Sequence, residues 1–370
     1  MEQDDLEKQY IWLLNQISDY RNFVDDLANE KIKEYAPPFL NYNDSDTDIL
    51  SFMECFFNGY IKKVESLPNL NIVDRVNQTF ITIARQKLKL PPINLLPEFN
   101  LIRDLKSITS MILRVIELYL LGSPALAYDE MEKVFDKNNR HLFNLLPQLE
   151  AYSHYFYRIR KGKHTNKLDL FHTPFEKRFL CASYRFSILG LPALYCAETL
   201  ETCILETRIE DECDLTASLF HITSDEDRVK KFVDLTLPGK KELKVWEQYS
   251  LILFYPLIVA CSLKVKEEGK PFKPEYIIPQ VFYQYIRKSA ENFIGIAYTS
   301  TRFDHPDFTD FKQRNYVLFV KDSNQKAGYS KELGSELFVT KPFQFKFNKQ
   351  TNLTDIQRSL RDYPFSNIFC

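Results

Sequence analysis

The sequence predicts an α+β protein, with a helical bundle over residues 1–150 followed by a mixed α/β domain over residues 151–370. Two patterns and one bulk property predict this. Through the first 150 positions apolar residues recur at spacings of three and four, the period of one helix face. From about Tyr155 the pattern changes to short apolar runs of strand length, separated by helical or loop stretches. The 370 residues are 45% hydrophobic and 26% charged, enough apolar side chain for a sizeable core.

In the first domain, Tyr10, Leu13, Leu14, Ile17 and Tyr20 mark one helix face. Leu50, Met53, Phe57, Tyr60 and Ile61 mark a second, and Ile108, Met111, Ile112, Val115 and Leu118 a third. Ser123 before Pro124 predicts a helix start, because serine caps and proline suits the first turn; that helix should run towards Phe135. Breaks are expected at Pro37-Pro38 and across Pro91 to Pro97. Nothing in this half has catalytic or ligand-like spacing.

In the second domain, strands are expected at Pro192 to Ala197, Lys231 to Leu237, Phe293 to Thr299, Tyr316 to Val320 and Leu337 to Thr340. A helix should run from Thr199 to about Arg208. The apolar run Leu251 to Leu263 carries Pro256 and is shorter than the ~20 residues a spanning helix needs, so it is expected to be buried in protein.

Composition removes several function classes. With 48 basic and 50 acidic residues the formal charge is −2, which gives no global reason to expect nucleic acid or membrane as a partner. Only 9 glycines are present, and neither GxGxxG nor GxxxxGK[ST] occurs, which argues against classical dinucleotide and P-loop folds. The six histidines form no HExxH or paired Cys/His spacing, so no metal is expected. Arg158 and His164 are spaced as in HEPN ribonucleases, but within a basic, loop-like stretch where such spacings arise by chance. There is no GxSxG, and no cysteine lies beside a plausible base. The seven cysteines form no CxxC pair and read as reduced thiols of a cytoplasmic protein. The start, MEQDDLEKQY, lacks an apolar secretory segment.

Five stretches could carry chemistry. Tyr157 to Lys163, YRIRKGK, is a basic cluster beside aromatics, suited either to a pyrophosphate or to solvent. In Tyr184-Arg185-Phe186-Ser187, Arg185 could grip a phosphate or pack its stem on the rings. Pro192 to Arg208 runs from a strand carrying Tyr195 into a helix that Thr199 can cap. On that helix Leu200, Cys203, Ile204 and Thr207 form the expected buried face, and Glu206 lies on its flank, one turn beyond Thr202. Ile294 to Arg302 is a strand ending in a hydroxyl-rich turn that contains Ser300. Arg314 to Phe319 is a further strand with a polar start, saying little alone.

In this order and spacing the five stretches resemble the RES domain family, named for its Arg, Glu and Ser, over about Tyr157 to Val320. The resemblance implies a compact ADP-ribosyltransferase-type fold with NAD as substrate. It implies cleavage of the nicotinamide–ribose bond by a glycohydrolase or phosphorylase, as in toxins held in check by an antitoxin. Carried over by position, Arg158 and Arg185 would bind the NAD phosphates, and Tyr195 would line the pocket near the nicotinamide or its ribose. Glu206 would be the catalytic carboxylate, and Ser300 would orient it or the substrate. The chain departs from the family in a longer, more basic loop between Arg158 and Arg185 and in its helical N-terminal extension. That extension is similar in character to HEPN-like domains attached to some RES proteins. Two alternatives stand beside this reading: ADP-ribosyl transfer to a macromolecule, and a non-catalytic protein whose helical half binds a partner. Residues 1 to ~150 are expected to restrain or trigger the second domain, directly or through a protein partner.

Overall fold

A computed structural model describes residues 3–29, 31, 42, 47–87, 99–135, 140–151, 154–222, 229–239, 242–289, 293–303, 310–321 and 325–370. The breaks expected at Pro37-Pro38 and Pro91 to Pro97 lie outside the described residues, as does His305. In chain order the main elements are helices α1 (Gln3–Asn15), α2 (Ser18–Ala28), α3 (Ile49–Glu65), α4 (Leu70–Lys87), α5 (Leu101–Leu120), α6 (Pro124–Phe135) and α7 (Arg140–Asn144). Strands β1 (Gln148–Glu150), β2 (Tyr155–Lys161) and β3 (Ala193–Ala197) follow, then helix α8 (Leu200–Thr207). Next come β4 (Cys213–Ile222), β5 (Lys231–Leu235), α9 (Val245–Ser262), α10 (Ile277–Ser289), β6 (Phe293–Thr299) and β7 (Arg314–Phe319). The chain ends with α11 (Lys331–Glu336), β8 (Leu337–Val339), β9 (Phe343–Phe347), α12 (Leu353–Arg361) and β10 (Ser366–Asn367).

By contacts the chain divides into two units. One is Met1–Pro147 with Leu237–Ile278, and the other is Gln148–Thr236 with Pro279–Cys370. The stretch Leu237–Ile278, which the sequence reading placed in the second domain, thus packs with the helices. Its helix α9 is apolar on every side and buried along nearly its whole length. It is long and apolar enough to cross a membrane, but it is the core helix of this unit, against which α5 packs.

The expected helix faces are the buried ones. On α3, Met53, Phe57 and Tyr60 are buried, and Asp48 caps the helix by accepting the N–H groups of Leu50 and Ser51. On α5, Ile108, Met111, Ile112, Val115 and Leu118 are buried. The first face differs in one respect: Leu13, Ile17 and Tyr20 are all buried, but the chain breaks between α1 and α2 at Gln16 and Ile17. Helix α6 starts at Pro124 and ends at Phe135, as its cap residues predict.

Pro256, inside α9, has no N–H for the Ile252 carbonyl one turn earlier, which would leave a buried acceptor empty. The Tyr60 hydroxyl fills it, donating to Ile252 O at 3.0 Å, and the Tyr60 and Tyr255 rings pack at 5.5 Å. Tyr60→Phe removes only that donor. It is expected to cost about 1–3 kcal/mol, read as a lower urea midpoint for loss of helical signal.

The second unit is built on a ten-stranded sheet of order β1-β5-β6-β7-β3-β2-β4-β8-β10, with β9 paired to β4. Every pairing is antiparallel except β5 with β6. Alternate residues feed two cores. Phe156, Leu194, Cys196, Tyr316 and Leu318 lie in one, and Tyr157, Ile159, Ala197 and Leu219 in the other, beneath α8 and α12. The sheet parts near its middle: β2 pairs with β3 only at Tyr157 and Ala197, whereas β2 pairs with β4 over seven residues.

Gly295 on β6 marks a close approach. A Cβ there would overlap the Val317 carbonyl oxygen and stand 2.9 Å from the Phe232 ring. Both neighbours are held in adjacent strands, so neither yields cheaply. Gly295→Ala is expected to destabilise the sheet unit by about 3 kcal/mol, seen as reduced folded yield and an earlier unfolding transition.

Candidate active site

The segment that carries Glu206 is defined by its two ends. Thr199, in extended conformation, accepts the Thr202 N–H at 3.2 Å and starts α8. Arg208, in the left-handed region at φ 52°, ends the helix after eight residues. Leu200, Cys203 and Ile204 are buried as the spacing predicts. Thr207 is exposed instead, its hydroxyl donating back to the Cys203 carbonyl at 2.8 Å. Thr202 takes its place in the buried face and donates to Lys312 O at 2.8 Å. The buried stripe is therefore turned towards Thr202, and Glu206, four residues on, follows that side towards β6 and β7.

There Glu206 is held firmly. Its Oε1 accepts from Ser300 Oγ at 2.6 Å and from Asn315 Nδ2 at 2.5 Å. Its Oε2 lies 4.0 Å from Arg302 Nε. Ser300 and Asn315 are buried, and the Arg302 N–H donates to Ser300 Oγ at 3.2 Å, fixing the hydroxyl that points at the carboxylate. The Glu206 side chain nevertheless remains 31% exposed. One carboxylate oxygen is thus committed to neutral donors while the group stays reachable from solvent, which suits a fixed negative charge facing a ligand.

Arg185 lies in a tight turn. Tyr184 and Ser187 form an isolated bridge, and Gln280 on α10 places Nε2 within 3.1 Å of Ser183 Oγ, Tyr184 O and Ser187 O. Arg185 itself is buried and donates to Thr301 Oγ1 at 3.2 Å, one residue beyond Ser300. The Tyr184 ring, more than half exposed, stands edge-on to the Tyr195 ring at 5.7 Å.

Arg158 sits where the sheet parts, and donates from its Nη1 to the Tyr195 carbonyl of β3. Its Nε is buried with no hydrogen-bond partner among the described residues. Burial pulls its guanidinium down to about 10, and Arg160 adds to that fall. Arg158 is therefore cationic at neutral pH in a place that costs solvation. Burial pushes the nearby Cys203 thiol up; Arg158 opposes this rise and Glu206 adds to it, so both charges act on one buried sulfur.

Glu206 and Ser300 are thus joined by a direct bond, and Arg185 reaches the residue beside Ser300. Arg158 and Tyr195 form a second group, tied to the first through Tyr184. The sequence reading is corrected at Tyr155–Lys161, which is a strand and not a loop-like charge run. It named Thr301 and Arg302 only within the fourth stretch and Asn315 only within the fifth, gave none of them a role, and did not single out Gln280. Asn315 carried a faint signal as the polar start of a strand, and Gln280 carried none. Among the described residues no three His, Cys, Asp or Glu side chains are grouped to hold a metal ion.

An Arg, a Glu and a Ser thus come together on the mixed α/β sheet of the second unit. Residues 155–334 match the family model described as the RES domain, so over that stretch the chain is similar to RES domains. Over 323 residues the chain is 27% identical to the Bacillus subtilis (strain 168) protein named "Putative toxin YopC", an alignment covering 80% of this chain. The chain spans 65% of that relative's length. No solved structure matches.

Proposed function

We propose that the RES-like domain binds NAD and cleaves its nicotinamide–ribose bond, acting as a toxin or defence-type effector. The observation that carries this is the Glu206 carboxylate, pinned by Ser300 and Asn315 yet partly exposed, in a unit that also holds a buried Arg185 and a half-buried Arg158. The toxin character follows the name of the relative and the family match.

The chemistry suits these groups. When the C1′–N bond breaks, its electron pair leaves with neutral nicotinamide, and the ribose carbon develops positive charge. A fixed carboxylate stabilises that charge, and arginines on the diphosphate keep the ribose in place. Nicotinamide is a good leaving group, so the second carboxylic acid of ordinary glycosidases is not required. Arg158 offers a half-buried, under-bonded guanidinium and Arg185 a buried one, the donor type that matches phosphate oxygens.

The test is to incubate the full chain with NAD, with and without inorganic phosphate, and to measure nicotinamide. Release with ADP-ribose as co-product identifies water as acceptor, and ADP-ribose 1″-phosphate identifies phosphate. Label transferred from NAD to protein or nucleic acid would make it an ADP-ribosyltransferase. If no nicotinamide appears under any of these conditions, the catalytic reading gives way to a partner-binding role.

A further inference from the structure

Behind the Glu206 cluster lies a second polar cluster that the reaction above does not use. The Tyr316 hydroxyl donates to the Glu198 carboxylate, and His154 Nδ1 stands 3.4 Å from that hydroxyl and 3.7 Å from Glu198 Oε2. Arg314 donates to Thr236 Oγ1 at 3.1 Å and lies 4.0 Å from Asp234 Oδ2. The Glu198 N–H donates to the Arg314 carbonyl at 2.9 Å. All four charged or titratable side chains around Tyr316 are largely buried.

The positions of these residues along the chain matter most. Arg314, Asn315 and Tyr316 are consecutive on β7, so Arg314 and Tyr316 point to one face of the sheet and Asn315 to the other. Tyr316 belongs to one core, while Asn315 is in register with Ala197 of the other. Glu198 directly precedes Thr199, the cap of α8, and Glu206 lies in the last turn of that same helix.

We propose that Tyr316 is a positioning residue, its hydroxyl gripping the Glu198 side chain at the head of α8 from one face of β7 while Asn315 grips Glu206 at its tail from the other face. The Arg314 backbone carbonyl holds the Glu198 N–H. Three adjacent strand residues then set where the helix begins and where its carboxylate points. The arrangement answers a mechanical problem: α8 is only eight residues long, too short to be stable by itself, and ends in a left-handed turn. Without a clamp at its start, the bond at its end would not fix the carboxylate. The consequence for turnover rests on the NAD reading given above; the clamp itself does not.

Tyr316→Phe is the test, because it keeps the ring packed against Phe156 and Phe232 and deletes only the hydroxyl. Two measurements are made on the full chain. Amide hydrogen exchange across Leu200–Thr207 is expected to quicken while that of β6 stays at the wild-type rate. The kcat for nicotinamide release is expected to fall by about 10- to 100-fold, with KM for NAD within about twofold, since a displacement near 1 Å costs that much in rate. Glu198→Gln, whose amide oxygen can still accept from Tyr316, should retain more activity than Glu198→Ala. Unchanged exchange in α8 overturns the proposal, and so does a kcat within twofold of an active wild type. If wild type releases no nicotinamide, the NAD reading fails. Exchange then decides alone, faster α8 exchange supporting the clamp and an unchanged rate overturning it.

Discussion

Glu206→Gln is expected to lower kcat for nicotinamide release by about 100- to 10,000-fold, with the fold intact and KM for NAD little changed. Glutamine keeps the shape of the side chain and an oxygen that accepts from Ser300 and Asn315, so the two bonds that pin Oε1 survive. Only the negative charge is lost. If that charge faces the developing cation at the ribose carbon, its loss appears in the transition state and hardly in the ground state, which gives the split between kcat and KM. Ser300→Ala should be milder, about tenfold, because Asn315 still holds Oε1. The assay follows nicotinamide from NAD, with thermal unfolding of each variant as control. Glu206→Gln activity within tenfold of wild type would remove Glu206 from the chemistry.

The parts of this site that were legible in the sequence are those where one local rule speaks. Thr199 before Leu200, Cys203 and Ile204 announces a capped helix, and Glu206 follows on its flank by helical spacing alone. Phe293 to Thr299 is buried at every position, and the sequence bounds it correctly as a strand. Strands β2 and β4 were obscured by the site itself. Their register sets Arg158 opposite Ser218 and Arg160 opposite Thr216, so a polar stripe replaces the apolar face that marks a core strand. These residues break the local pattern where the sheet parts, and such breaks gather at functional positions. Asn315 was out of reach for another reason. Its meaning depends on pairing with Tyr298 and Ala197, neighbours in space and distant in sequence. The apolar helix α9 has no face to show what it packs against, so its membership of the helical unit could not be read locally.

Arg158→Ala is expected to raise KM for NAD by about 100- to 1,000-fold, the cost of losing two charge-assisted hydrogen bonds to a phosphate. The argument starts from the price of the residue in the free protein. Arg158 is a half-buried cation whose buried Nε has no partner among the described residues and whose guanidinium is pulled down to about 10 by desolvation. With its folded value below the ordinary arginine range, the charged form is penalised at neutral pH, and the penalty fades only as pH rises past 10. A diphosphate would supply the missing acceptor and an opposite charge, so NAD should raise the unfolding temperature of wild type and not of Arg158→Ala. Arg158→Lys should fail to restore the KM, because an ammonium lacks the planar fork that spans two phosphate oxygens. The substrate series isolates the contact. Nicotinamide riboside carries the same scissile bond and no phosphate, so the wild-type advantage over Arg158→Ala should vanish with it. A penalty of equal size on nicotinamide riboside would make Arg158 a structural filler of the gap between β2 and β3, bonded to the Tyr195 carbonyl and nothing more.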